Sequence, residues 1–95
     1  MPTRYGLSSK VENSLIADGC LIEGTVKNSI IFRNVTVAEG AIVENAILMQ
    51  GAVVDKNAKI SYAVMDKMSQ VSENEIIDSN KQNIKYIGKR EKIGD

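Results

Sequence analysis

The chain has 95 residues, with 12 basic and 12 acidic side chains, one cysteine, no histidine and no tryptophan. That length holds one domain near the lower limit for a stable core. Zero net charge argues against a basic nucleic-acid surface or a membrane-binding arm, and 43% apolar content argues against disorder. No apolar run approaches the roughly 18 residues of a membrane span. Polar Pro2-Thr3-Arg4 after Met1 does not read as a secretory leader. A lone Cys20 cannot close an internal disulfide, which suits a reducing cytoplasm. With Tyr5, Phe32, Tyr62 and Tyr86 as the aromatic residues, the core must be aliphatic and finely divided.

Residues 1–10 hold the one proline and no periodic pattern, so they read as a lead-in or linker, or equally as a frayed terminus. From Val11 to Ile77 a ladder begins. Val11, Ile16, Ile22, Val26, Ile31, Val37, Val43, Leu48, Val54, Ile60, Met65, Val71 and Ile77 recur at steps of four to six residues. Two residues before each stands a second column: Ser9, Ser14, Cys20, Gly24, Ser29, Val35, Ala41, Ala46, Ala52, Ala58, Ala63, Ser69 and Glu75. All but Glu75 are no larger than valine. Neither a helical period nor hairpin alternation produces this pairing.

A longer period is superimposed. The segments beginning at Val11, Val26, Val43 and Ile60 align without gaps, giving repeats of 15, 17 and 17 residues. Repeats of this size signal a solenoid. Three anchors per repeat mean three sides per turn. Residues two apart share a strand face, so both columns point inward, the large one filling the interior and the small one fitting near a corner. The fold read from this is all-β, a left-handed parallel β-helix of hexapeptide repeats with about four triangular turns over residues 11–77. The usual right-handed crossover rule concerns long connections, whereas each connection here is a tight corner. A right-handed β-helix, with longer and less regular turns, is the alternative. Asn13, Asn28 and Asn45 fall at one corner and Gly19, Asn34 and Gly51 at another, where left-handed backbone is tolerated. Glu75 breaks the small column, so the regular coil is expected to end there. Residues 78–95 then form an irregular cap: a polar loop, a candidate capping strand at 84–88 and a solvated tail.

The outward residues are what remain for function. On two sides they are mixed: Leu21, Thr36, Val53 and Gln70 on one, Lys10, Thr25, Ile42, Lys59 and Ile76 on the other. The third side carries Leu15, Ala17, Ile30, Phe32, Ile47, Met49 and Val64, interrupted by Asp66. A contiguous apolar face of this kind marks an interaction surface, unless it is a ladder of β-formers selected for strand propensity. Catalytic chemistry is not legible. Hexapeptide acyltransferases that use a histidine base, and carbonic anhydrases that hold zinc by histidines, need a residue this chain lacks, unless a partner chain supplies it. Cys20 reads as a packed core thiol. The glycines are spaced as corners, not as a phosphate loop, and the carboxylates are scattered. No catalytic, cofactor-binding or metal-ligating residue is assigned.

The wording of the first turns carries more than the bare repeat. The stretches PTRYG (2–6), SLIADGCLIEGTV (14–26), NSIIFRNV (28–35) and AILMQGAVV (46–54) resemble the carboxy-terminal β-helix of the ADP-glucose pyrophosphorylases (glucose-1-phosphate adenylyltransferases). IIFRNV and ILMQ resemble the regulatory-type subunit of bacterial glycogen synthesis more than its catalytic partner. The resemblance implies a parent protein of the cytoplasm that makes ADP-glucose and pyrophosphate from ATP and glucose 1-phosphate with Mg2+. That chemistry sits in an amino-terminal nucleotidyltransferase domain whose Gly-rich, Arg-containing loop has no counterpart here, so no catalytic residue is carried over. The implied role is non-catalytic: docking on the catalytic domain, building a homo- or hetero-oligomer and coupling allosteric effectors. No nucleic-acid or membrane partner is implied. The alternative is a stand-alone β-helix scaffold or protein-interaction module. The tail after Glu75 departs from the family's regular coil.

Overall fold

The computed structural model describes residues 2–94. Sixteen short strands follow one another among them. They are β1 (Arg4–Tyr5), β2 (Lys10–Glu12), β3 (Leu15–Ile16), β4 (Leu21–Ile22), β5 (Thr25–Lys27), β6 (Ile30–Ile31), β7 (Thr36–Val37) and β8 (Ile42–Glu44). Then come β9 (Ile47–Leu48), β10 (Val53–Val54), β11 (Lys59–Ser61), β12 (Ala63–Met65), β13 (Gln70–Val71), β14 (Ile76–Asp78), β15 (Lys85–Ile87) and β16 (Lys92–Ile93). Every third strand joins the same sheet. Side A is β1-β4-β7-β10-β13-β16, side B is β2-β5-β8-β11-β14 and side C is β3-β6-β9-β12-β15. All pairings are parallel and in exact repeat register; Val26 sits between Val11 and Val43, and Val54 between Val37 and Val71.

The chain is thus a parallel β-helix of hexapeptide repeats with three flat sides. Its small-residue corners are tight, as the left-handed coil requires: between β2 and β14 no connection exceeds four residues. Ladder hydrogen bonds bridge successive turns at the corners too, for example Thr36 N to the carbonyl of Ala52 at 3.0 Å and Ile30 N to that of Ala46 at 3.0 Å. The body measures 31 × 23 × 22 Å.

Both inward columns fill the interior. Ile22, Val26, Val37, Val43, Leu48, Val54, Ile60, Met65 and Val71 are completely buried, and so are their small companions Val35, Ala52 and Ala58. Buried serines replace missing ladder partners where the chain bends. The Ser29 hydroxyl donates to the carbonyl of Lys27 and accepts from the N–H of Ala46. From β2 to β14 every corner except the one at Gly24 turns on a left-handed residue. Asn13, Asn28, Asn45 and Tyr62 take φ of 47–53° at the B–C corner. Gly19, Asn34, Gly51, Met68 and Arg90 turn the C–A corner, and Gly40, Asn57 and Asn74 the A–B corner. The asparagines and glycines are the residue types that enter this region at low cost; Tyr62, Met68 and Arg90 are not.

The 15-residue repeat has its own cause. It lacks two residues at the A–B corner between Ile22 and Thr25. The chain there passes so close to the next turn that a Cβ on Gly24 would lie 2.4 Å from the Ala41 carbonyl oxygen. Only glycine fits that shortcut.

The ends differ from the expectation at 1–10 and 78–95. Arg4–Tyr5 is not a linker strand but the first rung of side A, paired with Leu21–Ile22. The free backbone groups of β4 supply the template, and Gly6 N closes the match on the carbonyl of Ile22 at 2.7 Å. At the other end β14 carries the coil past Glu75, and a loop of residues 79–84 folds on an Asn80–Asn83 bridge. β15 lies inside the capping segment expected at 84–88 and buries Ile87 completely. The tail adds β16 on β13, with Ile93 packed against the core. Met1 and Asp95, the outermost residues of the lead-in and tail, lie outside the described residues.

Two stability measurements test this register. Ala46→Phe, which forces an aromatic ring into a small-column site, is expected to cost about 1–3 kcal/mol; an unchanged Tm would contradict the inward placement. Tyr62→Asn, which puts the corner's preferred residue in the left-handed region, is expected to stabilise by about 1 kcal/mol, read as a rise in the midpoint of denaturant unfolding.

Candidate functional site: an apolar ladder on side C

The parallel register stacks equivalent residues into columns, so side C carries what its repeats spell. Leu15, Ile30, Ile47, Val64 and Tyr86 are consecutive register partners across all five strands. A second column runs one rung further along: Ala17, Phe32, Met49 and Asp66, whose N–H groups donate to the carbonyls of Ile31, Leu48, Met65 and Ile87. All face outward because their strand neighbours Ile16, Ile31, Leu48 and Met65 face in. Exposure is graded. Leu15 is 70% exposed, Phe32 45% and Ile30 42%, whereas Ala17, Ile47, Met49 and Val64 are half-buried by their own neighbours in the ladder. The amino-terminal half of the face dips into a shallow apolar groove between Leu15, Ala17, Ile30 and Phe32, rimmed by Arg33 and Gln50.

The structure therefore gathers the seven sequence-singled residues onto one side. It adds one that periodicity overlooked. Tyr86 extends the first column, and its hydroxyl donates to the carboxylate of Asp66, the residue that interrupts the second. The signal was present in the alternation of residues 84–88, but the loop before it hid which side the strand would join. Asp66 also accepts from the N–H of Lys67 at 2.6 Å. The Tyr86 hydroxyl, then the Lys67 amide, hold the Asp66 carboxyl below the usual carboxylate range, and the same bond raises the Tyr86 phenol.

Elsewhere the surface shows little convergence of chemistry. Cys20 is buried with its thiol on the carbonyl of Phe32 at 3.1 Å. Gln70 donates to Asp55 at 2.6 Å beside Glu73 and Glu75. Among the described residues no group of three Cys, Asp or Glu side chains is placed to hold a metal ion, and no helix is long and apolar enough to cross a membrane.

The Asp66–Tyr86 bond gives a pH prediction. A carboxyl with a lowered folded pKa contributes stability above its unfolded pKa and loses it as pH falls through the folded value. A phenol with a raised pKa contributes below its unfolded value and loses it as pH rises through the folded one. Tyr86→Phe is therefore expected to flatten both the acid limb, below about pH 4, and the alkaline limb, above about pH 10, of Tm against pH. Coincident profiles for the two proteins would show that the bond does not hold the cap.

A family model described as "GlmU-like, C-terminal hexapeptide" matches residues 2–88. Over 40 residues the chain is 55% identical to "Glycogen biosynthesis protein GlgD" of Geobacillus stearothermophilus, a match covering 42% of this chain and 12% of that protein. Over 39 residues it is 56% identical to the GlgD protein of Bacillus subtilis (strain 168), covering 41% and 11%. "Glucose-1-phosphate adenylyltransferase" of Bacillus thuringiensis (strain Al Hakam) is 52% identical over 40 residues, covering 42% and 11%. The matched stretch thus spans about a tenth of these relatives' length. Sixteen parallel rungs with hexapeptide register and a family match across nearly all of them place the chain in the GlmU-like C-terminal hexapeptide family.

Proposed function

We propose that the chain acts as a non-catalytic β-helix domain in glycogen biosynthesis, of the kind found in glucose-1-phosphate adenylyltransferases and GlgD proteins. On this reading, adenylyl transfer to glucose 1-phosphate, with its ATP and Mg2+, belongs to a separate nucleotidyltransferase domain or subunit in the cytoplasm. The present chain docks on that domain, helps assemble subunits and relays effector binding. The observation that carries the reading is the side C ladder: a flat apolar face on a rigid rod, with no histidine anywhere in the chain. A rod of this build suits mechanical coupling, because its sides are pinned by ladder hydrogen bonds along its length and move as one body. The names of the matched relatives supply the pathway.

A stand-alone scaffold is the second reading, to which the same exposed apolar ladder is equally suited. The two separate in a mixing experiment. The chain is expected to co-sediment with an added glucose-1-phosphate adenylyltransferase catalytic domain, and Phe32→Glu, at the centre of the exposed ladder, is expected to abolish that association while leaving Tm nearly unchanged. No association of either protein refutes docking and leaves the scaffold. Equal association of both removes side C as the docking face.

A further inference from the structure

At three corners a glycine in one turn lies beneath the side chain of the left-handed residue in the next. Asn34 lays its amide oxygen over Gly19, and Asn57 lays its own over Gly40. Over Gly51 the same space holds the sulfur of Met68, which a Cβ on Gly51 would strike. A thioether thus stands where the fold elsewhere places an oxygen. Nothing in the corner geometry asks for it. Gly19, Asn34 and Gly51 make the same turn with residues suited to positive φ, whereas Met68 holds φ 60° against its own Cβ. A backbone outlier standing where a less strained residue would serve points to a role for its side chain.

The three methionines among the described residues differ in access. Met65 is completely buried in the core, Met49 is half-buried in the side C ladder, and Met68 is 56% exposed. The backbone around Met68 is held without its side chain. Met68 N donates to the carbonyl of Gln50 at 3.0 Å. The N–H and the hydroxyl of Ser69 both donate to the carbonyl of Asp66, at 3.3 and 2.6 Å. Exposed cations flank the site. Lys67 precedes it, and Arg90 occupies the same corner one turn on, its N–H on the Lys67 carbonyl at 2.9 Å.

We propose that Met68 is a reversible oxidation site, a surface thioether that hydrogen peroxide converts to the sulfoxide while the coil stays folded. The sulfur lone pair attacks one peroxide oxygen, an S–O bond forms and the O–O bond breaks. The departing hydroxide takes the proton of the transferred oxygen and leaves as water. Sulfur is oxidised by two electrons and the peroxide is reduced by two. The product is polar where the thioether was apolar. Inside the core that change would be costly. Above Gly51 it is not, since the two matching corners already carry a polar oxygen in that space and Lys67 and Arg90 bring cationic donors to its edge. The site lies two residues from Asp66, so the oxidation state of one side chain sets the polarity of that rim of side C. This chemistry does not depend on the docking role proposed above.

Peptide mass spectrometry after exposing the folded chain to millimolar hydrogen peroxide tests it. Trypsin cleavage after Arg33, Lys56, Lys59, Lys67 and Lys81 puts Met49, Met65 and Met68 on separate peptides. Met68 is expected to gain one oxygen at least about tenfold faster than Met49 or Met65. In guanidinium chloride, where the fold no longer sets access, the three rates are expected to converge. The oxidised chain is expected to unfold cooperatively with a Tm within about 4 °C of the reduced one. Methionine sulfoxide reductases acting on both sulfoxide epimers are expected to restore the original mass. Peroxide-treated Met68→Leu is expected to gain no oxygen over the same time and to keep its Tm. Met49 reacting as fast as Met68 in the folded chain, a loss of the folded state once Met68 alone is oxidised, or a sulfoxide that the reductases leave in place overturns the proposal.

Discussion

The structure depends on one local constraint, the left-handed backbone residue that turns every corner from β2 to β14 except the shortcut at Gly24. A parallel coil with sides of five or six residues has no room for a conventional crossover, so the chain must change direction within a few residues. One residue at positive φ does this while leaving the flanking strands in register. Asn13, Asn28 and Asn45 stack at one corner, with the Asn13 amide donating to Asn28 at 2.7 Å. Where glycine serves, it also makes space: a Cβ on Gly40 would lie 2.1 Å from the side-chain oxygen of Asn57 in the next turn, and one on Gly19 would lie 2.3 Å from that of Asn34. Glycine beneath asparagine is therefore a packing rule as well as a conformational one.

With the corners set, everything else is repetition. Alternation along short strands sends one apolar column inward and its small companion into the corner, and the parallel register places each turn's core on the last. No turn buries its core alone, since each contributes only three large anchors and needs a neighbour above and below. This explains why the fully buried residues run from the second turn onward while Val11 stays exposed. It also explains why the interior carries no chemistry: the space is thin, dry and consumed by aliphatic side chains.

Function falls to the surface for the same reason. Exact register converts repeated sequence into ordered columns, so a preference for Leu, Ile and Val on one side becomes a continuous apolar face. Asp66 would blunt that face as a bare carboxylate. The Tyr86 hydroxyl covers it and carries the column one strand further.

Much of this was legible from residue order. The anchors from Ile22 to Val71, their small companions and the corner asparagines follow from two short-range facts, strand alternation and the cost of positive φ, and both act within a few residues of chain. The side C ladder followed too, because it is what the inward columns leave over. The ends were not legible. Arg4–Tyr5 and Lys92–Ile93 are strands because the neighbouring turn offers unpaired N–H and C=O groups, a property of β4 and β13 and not of their own sequence. Tyr86 reaches Asp66 only because the loop of residues 79–84 returns the chain to side C. The sequence by itself determined the repeat, the core and the corners, since local sterics decide them. Tertiary structure alone decided that the terminal segments join the coil as strands and which side each one extends, since edge pairing depends on the backbone already in place.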